Sequence, residues 1–276
     1  MTCCTTCPHT CCLSEGFYGL CRSRCGHDDK VVPEGYGRIT SLALDPIEKK
    51  PISCWRGGTT VLSLGSYGCN MRCPFCQNAS IAQADPDEVE WRTMTPEEVV
   101  ETALTLKDRR CIGIAYTYNE PLVNWEFLCD TAQLAHEAGL VNVLVSNGMA
   151  NEHVVCKVAP LVDAANIDLK CFTEEGYRSL GGDLATVRRT IELLAAMPTC
   201  HLEVTTLVVP DLSDDEAQVD EMARWLASLD SSIPYHLTRF FPRHKMRDVQ
   251  PTSRHTLDAL ARVASQHLET VLLGNI

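Results

Sequence analysis

The sequence predicts an α/β fold organised around a parallel sheet, and three observations predict it. From residue 59 onward, apolar β-rich runs alternate with helical stretches. Those runs are close to continuously apolar, as parallel strands covered on both faces are. The length, 276 residues, suits a single α/β unit. Strict alternation implies right-handed βαβ units. Six such units suit an open partial barrel or a doubly wound sheet, and in either design ligands sit at the C-terminal ends of the strands.

Residues 1–58 stand apart. They carry cysteines, glycine-rich turns and Asp45-Pro46, with little hydrophobic period. They read as a short Cys-rich metal-binding segment, with a hairpin expected across residues 31–44. The β/α part is expected over residues 59–276. Its strands are predicted at 60–64, 111–116, 140–145, 164–169, 201–208 and 235–238, with a last short one at 270–273. Thr95-Pro96-Glu97-Glu98 combines an N-cap, a proline at the first helical position and a capping-box glutamate. A helix is therefore predicted from there to about Lys107. A second, over 124–138, stops at Gly139, a C-terminal glycine signal. Others are predicted at 151–158, 183–196, 214–229 and 252–267.

Charge excludes one class of partner. The chain has 24 Lys and Arg against 36 Asp and Glu, a formal net charge of −12. Neutralising nucleic-acid phosphates needs clustered Lys and Arg. The basic pairs Arg109-Arg110 and Arg188-Arg189 make no such footprint. No apolar run approaches the roughly 18 residues that span a bilayer. Met1-Thr2-Cys3-Cys4 has neither the basic nor the apolar region of a secretory signal. The expectation is a cytoplasmic chain with no nucleic-acid and no membrane partner. Its 16 cysteines, in a compartment where disulfides are rare, favour metal or redox chemistry.

The cysteines fall into sets. Cys4, Cys7, Cys11 and Cys21 are separated by two, three and nine residues. The first pair suits a metal knuckle, and four thiolates close a zinc site or hold an auxiliary Fe–S cluster. Spacing leaves both open, and nearby Cys3, Cys12, Cys25 and His27 leave the ligand set open too. Such a metal would add on the order of 10 kcal/mol to the folding of an otherwise coreless segment.

Cys69, Cys73 and Cys76 follow the first predicted strand in Cys-x3-Cys-x2-Cys spacing. A [4Fe–4S] cluster normally takes four cysteines. Three leave one iron with an open position, the mark of a catalytic rather than a structural site. Further polar residues sit where later strands end. Asn119 and Glu120 follow the second strand, just before Pro121. Ser146 and Asn147 precede Gly148 at the end of the third. Asp168 and Lys170, two apart around Leu169, face one side at the end of the fourth. Pro234-Tyr235-His236 opens the sixth. Arg239 and His244 are weaker substrate-side candidates.

Cys69, Cys73 and Cys76, with Phe75 just before the last and Gln77 just after it, resemble the signature of the radical S-adenosylmethionine (SAM) enzymes. The wider text resembles the radical SAM enzymes of the AmmeMemoRadiSam system, relatives of pyruvate formate-lyase activating enzymes. The match runs nearly end to end. It includes Cys4-x2-Cys7-Pro8-His9, Ala43-Leu44-Asp45-Pro46-Ile47-Glu48-Lys49-Lys50-Pro51, Tyr116-Thr117-Tyr118-Asn119-Glu120-Pro121, Asp168-Leu169-Lys170, Glu203-Val204-Thr205-Thr206 and Leu273-Gly274-Asn275-Ile276. The resemblance implies a partial (β/α)6 barrel of radical SAM type. It implies a [4Fe–4S] cluster on the three cysteines. SAM would be held by Phe75, Gln77, Asn119, Glu120, Ser146, Asn147, Asp168, Leu169, Lys170 and His236. Reductive cleavage of SAM would give methionine and a 5′-deoxyadenosyl radical that takes a hydrogen atom from a substrate. The implied partners are a reductant such as flavodoxin or ferredoxin and a protein substrate or partner proteins of the system. Cys54 stands where relatives usually carry His, and Cys25 where they often carry Asn, which weakens any transfer of substrate identity.

Overall fold

The computed structural model describes all 276 residues. Its centre is an eight-stranded sheet whose spatial order follows the chain: β1 (Ser41–Pro46), β2 (Thr60–Gly65), β3 (Cys111–Tyr116), β4 (Val141–Ser146), β5 (Ala164–Asp168), β6 (His201–Val208), β7 (Tyr235–Arg239) and β8 (Val271–Gly274). β1 pairs antiparallel to β2, and every later pair is parallel. Helices α1 (Pro96–Thr105), α2 (Trp125–Glu137), α3 (Glu152–Val158), α4 (Leu184–Ala195), α5 (Glu216–Leu229) and α6 (Arg254–Ala264) fill the crossovers from β2 to β8. The result is six β/α units with an extra strand at each edge, an open partial barrel as predicted.

Local signals worked as read. Thr95 caps α1, accepting from the Glu98 N–H, while the Glu98 carboxylate accepts from the Thr95 N–H. Gly139, at φ 71°, ends α2 in the left-handed conformation that glycine adopts without strain.

The hairpin expected across 31–44 is not there. Arg24–His27 pairs with Lys30–Pro33 instead. Asp28 and Asp29 turn the chain, both with positive φ (48° and 54°), the geometry of a two-residue type I′ loop. Residues 41–46, freed from that hairpin, become β1. A second correction concerns the cysteines. Cys3 and Cys12 form a disulfide across the small Thr2–Cys3/Cys12–Leu13 ladder. The N-terminal segment is fastened to α2 by buried Arg24, whose guanidinium makes two hydrogen bonds to Glu126 (2.7 and 2.9 Å) and one to the Val123 carbonyl (3.0 Å).

The register sorts the strand residues onto two faces. One face of the sheet carries Leu62, Ile114, Leu144, Ile167, Val204 and Leu237, each at most 2 % exposed, packed with the helices into the main core. The inner face differs along its length. At the N-terminal end of the barrel it carries Val61, Ala115, Val143 and Ala164, against which Ile47 and Ile52 are fully buried. The segment joining β1 to β2 thus plugs the barrel floor. It is pinned there by the Ser53 and Cys54 N–H groups donating to Glu203 on β6 and by Asn166 of β5 donating to the Pro51 carbonyl (2.8 Å). Above the plug the inner face turns polar: Asn166 is level with Glu203, and Asp168 with Thr205 and His236.

Candidate active site

The three barrel cysteines lie on the loop after β2. Just before the first of them stands Gly68, whose φ of 87° and closeness to Cys21 exclude a side chain: a Cβ there would fall 2.3 Å from the Cys21 carbonyl oxygen. Asn119 holds the loop's first turn. Its carbonyl accepts from the Ser66 N–H (3.0 Å), and its amide donates to the Tyr67 and Gly68 carbonyls (3.1 and 3.0 Å). Arg72 donates to the Cys69 carbonyl (2.7 Å) and to the Leu20 carbonyl, joining the loop to the N-terminal segment.

These cysteines open onto a cavity of about 690 Å³ at the C-terminal ends of the strands. Phe75, Gln77, Asn119, Glu120, Ser146, Asn147, Asp168, Lys170 and His236 also line it, so nearly all the residues picked from sequence converge. Leu169 does not. It is fully buried in the main core, because alternation along the chain sends it to the face opposite Asp168 and Lys170. Its backbone remains useful: the carbonyl accepts from the Thr206 hydroxyl (2.6 Å). Arg239 and His244 lie outside the cavity lining.

Glu120 is 1 % exposed and saturated with donors. It accepts from the Ser146 hydroxyl (2.7 Å), the Asn147 N–H (2.8 Å) and the Leu122 N–H (2.9 Å). Burial pushes its pKa up to about 7 against the pull of these bonds. The arrangement fixes the turn after β4, from which the Asn147 amide reaches the Cys69 sulfur at 3.4 Å. The Met71 N–H approaches the same sulfur at 3.4 Å. Hydrogen bonds to sulfur are one of the levers a protein has on an iron–sulfur centre.

Lys170 places its ammonium 2.9 Å from the Asp168 carboxylate, with its side chain only 15 % exposed. Burial works against that charge, but the Asp168 carboxylate and the Cys73 sulfur outweigh it and raise the pKa above the ordinary lysine range. Burial raises the Cys73 thiol to about 11, a rise that the Lys170 charge moderates. Cys69 is pushed higher still, by burial and then by Glu120. Thiols held neutral in this way lose their protons on binding iron.

Across the cavity, the His236 Nε2 meets the Glu203 carboxylate at 2.5 Å. Glu203 is fully buried and also bonds His201 and the Ser53 and Cys54 N–H groups. Burial alone would raise its pKa; the bonds from His201, His236, Cys54 and Ser53 win and hold it down to about 2. Glu203 is a site residue not singled out from the sequence; a carboxylate inside a strand of otherwise apolar and hydroxyl residues is the available signal. Tyr118 was missed too. It sits at φ 71°, lines the cavity, donates to Asp45 (2.7 Å) and lies under the Lys50 ammonium at 4.6 Å. Nothing in its sequence neighbourhood signals that conformation.

The chemistry of these donors fits an iron–sulfur cluster with SAM beside it. Three sulfurs face a cavity large enough for a ligand, next to a buried lysine–aspartate pair. The lining also includes Thr205, whose buried hydroxyl has no partner within the protein.

Comparison with known proteins agrees. The profile of the Radical SAM superfamily matches residues 64–226. An uncharacterized protein of Methanocaldococcus jannaschii is 38 % identical over 275 residues, which is 99 % of this chain and 81 % of that protein. The pyruvate formate-lyase-activating enzyme of Clostridium pasteurianum is 24 % identical over 225 residues, covering 73 % of this chain and 89 % of the enzyme. Among solved structures, a domain of pyruvate-formate lyase-activating enzyme from Bacteroides vulgatus superposes with a TM-score of 0.51 at 19 % identity, over 58 % of this chain and 98 % of that domain. Its fold is thus shared. With its cysteine loop at the mouth of a six-unit partial barrel and these matches, the chain belongs to the radical SAM superfamily.

Proposed function

We propose that this protein is a radical SAM enzyme in which Cys69, Cys73 and Cys76 hold a [4Fe–4S] cluster. The observation that carries the reading is the convergence of those cysteines, Glu120 and the Asp168–Lys170 pair on one cavity. When cluster and SAM are bound, one-electron reduction cleaves SAM to methionine and a 5′-deoxyadenosyl radical, which takes a hydrogen atom from the substrate.

The chain's own residues bind and orient. Lys170, charged and paired with Asp168, is the group for a carboxylate of the ligand. Glu120 sets the Ser146–Asn147 turn, and Asn147 donates to Cys69. His236, held through Nε2 by Glu203, faces the ligand from the far wall. The plug carrying Ile47 and Ile52 keeps bulk water from below.

The hydrogen donor is not named by this geometry. The end-to-end resemblance to the AmmeMemoRadiSam enzymes favours a substrate of that system, together with its partner proteins. Similarity to activating enzymes supports a second reading, in which the donor is a glycine of a protein. Either needs a reductant such as flavodoxin or ferredoxin, and a reducing compartment such as the cytoplasm. No helix is long and apolar enough to cross a membrane. The reading also includes a second metal, zinc or iron–sulfur, within residues 1–58 at Cys4, Cys7, Cys11 and Cys21.

The test is anaerobic. Protein reconstituted with iron and sulfide and reduced with dithionite should convert SAM to 5′-deoxyadenosine and methionine. Conversion should vanish when Cys69, Cys73 or Cys76 is replaced by Ala. A chain that assembles no SAM-responsive cluster would overturn the reading.

A further inference from the structure

Charge is spread unevenly over this chain. It is acidic as a whole, with 24 Lys and Arg against 36 Asp and Glu. Yet residues 239–247 read Arg-Phe-Phe-Pro-Arg-His-Lys-Met-Arg, four cations with no acid among them. They open the loop that joins β7 to α6, at the end of the barrel where the strands finish.

The loop is built to hold its charges outward. Phe240 is fully buried, and Met246 and Val249 pack against the main core. Between these anchors Arg243, Lys245 and Arg247 are exposed. The backbone is braced. The Arg239 Nε donates to the Thr252 carbonyl (2.7 Å), the Thr252 N–H to the Phe240 carbonyl (3.3 Å) and the Met246 N–H to the Arg243 carbonyl (2.9 Å). Three exposed arginines of the outer helices are matched within the chain, Arg189 by Glu152, Arg224 by Asp220 and Arg254 by Asp258. For Arg243, Lys245 and Arg247 the acid nearest in sequence is Asp248, itself exposed and turned to solvent.

This loop leans on the cysteine loop. The Lys245 N–H donates to the Pro74 carbonyl (2.9 Å), and Pro74 stands between Cys73 and Phe75. The cavity is lined by other residues, among them Thr238 just before the loop and Cys73 and Cys76 beyond Pro74. A partner seated on Arg243, Lys245 and Arg247 therefore sits beside the cysteine loop and outside the cavity. A substrate must enter the cavity. An electron carrier needs only to come near the cluster, because transfer falls steeply with distance and requires no contact. Charge selects further. A net charge of −12 repels an acidic protein from the surface at large, while one cationic loop draws it to a single place. Nucleic acid needs a longer cationic track than one loop supplies.

We propose that Arg243, Lys245 and Arg247 form the docking surface for an acidic one-electron carrier protein, which reduces the barrel cluster across the Pro74 segment. This rests on the cluster proposed for Cys69, Cys73 and Cys76, and adds the surface at which its electron arrives. In each transfer the carrier is oxidised by one electron and the cluster is reduced by one. No bond forms or breaks.

The experiment uses the full chain, with flavodoxin as the acidic carrier. Calorimetry at low salt reads its binding to the metal-free protein, where no cluster is needed. Binding should weaken as salt is added. A variant carrying Arg243→Gln, Lys245→Gln and Arg247→Gln should bind about tenfold more weakly, the low end of what electrostatic steering supplies. No binding by the parent would overturn the proposal, as would undiminished binding by a variant that keeps the parent's thermal midpoint. Tighter binding of a short single-stranded RNA than of flavodoxin through the same three residues would overturn it in favour of nucleic acid. Turnover gives the second readout. With reduced flavodoxin below saturation, the cluster-loaded variant should form 5′-deoxyadenosine about tenfold more slowly than the parent. With dithionite, which needs no docking site, the two should match. Equal losses with both reductants would overturn docking and make the loop a prop for the cysteine loop. A parent that binds flavodoxin yet forms no 5′-deoxyadenosine with dithionite sinks the cluster reading, and electron delivery with it, while the docking surface stands.

Discussion

The two faces of the barrel sheet are made by the same strands and obey different rules. The outer face is mostly apolar from β2 to β7, with Asn142 and Thr206 as buried polar residues, and packs against helices. The inner face is continuously apolar only at the floor; above it stand Asn166, Asp168, Glu203, Thr205 and His236, with Val145 and Leu207 beside them. Each strand therefore spends alternate residues on stability and on chemistry. In β6, Val204 is fully buried among apolar groups, while its neighbours Glu203 and Thr205 face inward. Substitutions on the two faces should separate in what they damage.

The largest effect is expected at the rim. Cys73→Ala should abolish 5′-deoxyadenosine formation and the SAM-responsive cluster, with little change in the thermal midpoint of the metal-free protein. On the outer face, Ile114→Ala should cost about 2–5 kcal/mol of stability through the cavity it leaves. Denaturant titration measures that cost, and SAM affinity of the folded protein should stay constant. Comparable losses in both would break the distinction between faces.

Glu203 should sharpen it, being inward and yet structural. Its pKa of about 2 lies below the ordinary 4.5, so its contribution is fully present above pH 4.5 and is lost as pH falls toward 2. The shift corresponds to about 3 kcal/mol. Glu203→Gln should remove most of it at pH 7 and flatten the acid limb of the stability profile between those values. A parent-like acid limb would mean that the carboxylate does not anchor the floor.

A smaller effect follows at Lys170. Lys170→Ala should weaken SAM binding by roughly 2 kcal/mol, about thirtyfold, the scale of losing one partner of a desolvated charge pair. Calorimetry on cluster-loaded protein reads it directly. Smallest of all, Thr205→Val removes a buried hydroxyl that has no protein partner. Stability should change by no more than about 0.5 kcal/mol, because no bond is broken. Any loss of ligand affinity in that variant would identify the hydroxyl as a ligand contact.

Much of this was legible in the sequence, for physical reasons that also explain the misses. Outer-face residues repeat with the period of their element, so strands and helices were read nearly residue for residue. The cysteine loop was legible because a cluster demands a particular donor type at short spacing. β1 was not, because its partner β2 is supplied by the sheet and not by a local turn. The Asp28-Asp29 turn has no glycine to announce it. Leu169 belongs to the matching Asp168-Leu169-Lys170 text that the resemblance implies holds SAM, but alternation sends its side chain outward. Glu203 hides in a run that reads as apolar strand, because its neutralising partners come from residues 53, 54, 201 and 236.

The plug under the barrel has one more consequence. Because the segment after β1 is hydrogen-bonded to β5 and β6, it works as a crossbar that holds one edge of an open sheet to its middle. A sheet braced from below has little freedom to spread, and its approach is from the rim where the strands end. A large substrate would then have to offer its reacting carbon on a protruding, pliable stretch, much as a key offers only its bit. The selectivity of such a site would depend on which segments can leave their own fold to reach it.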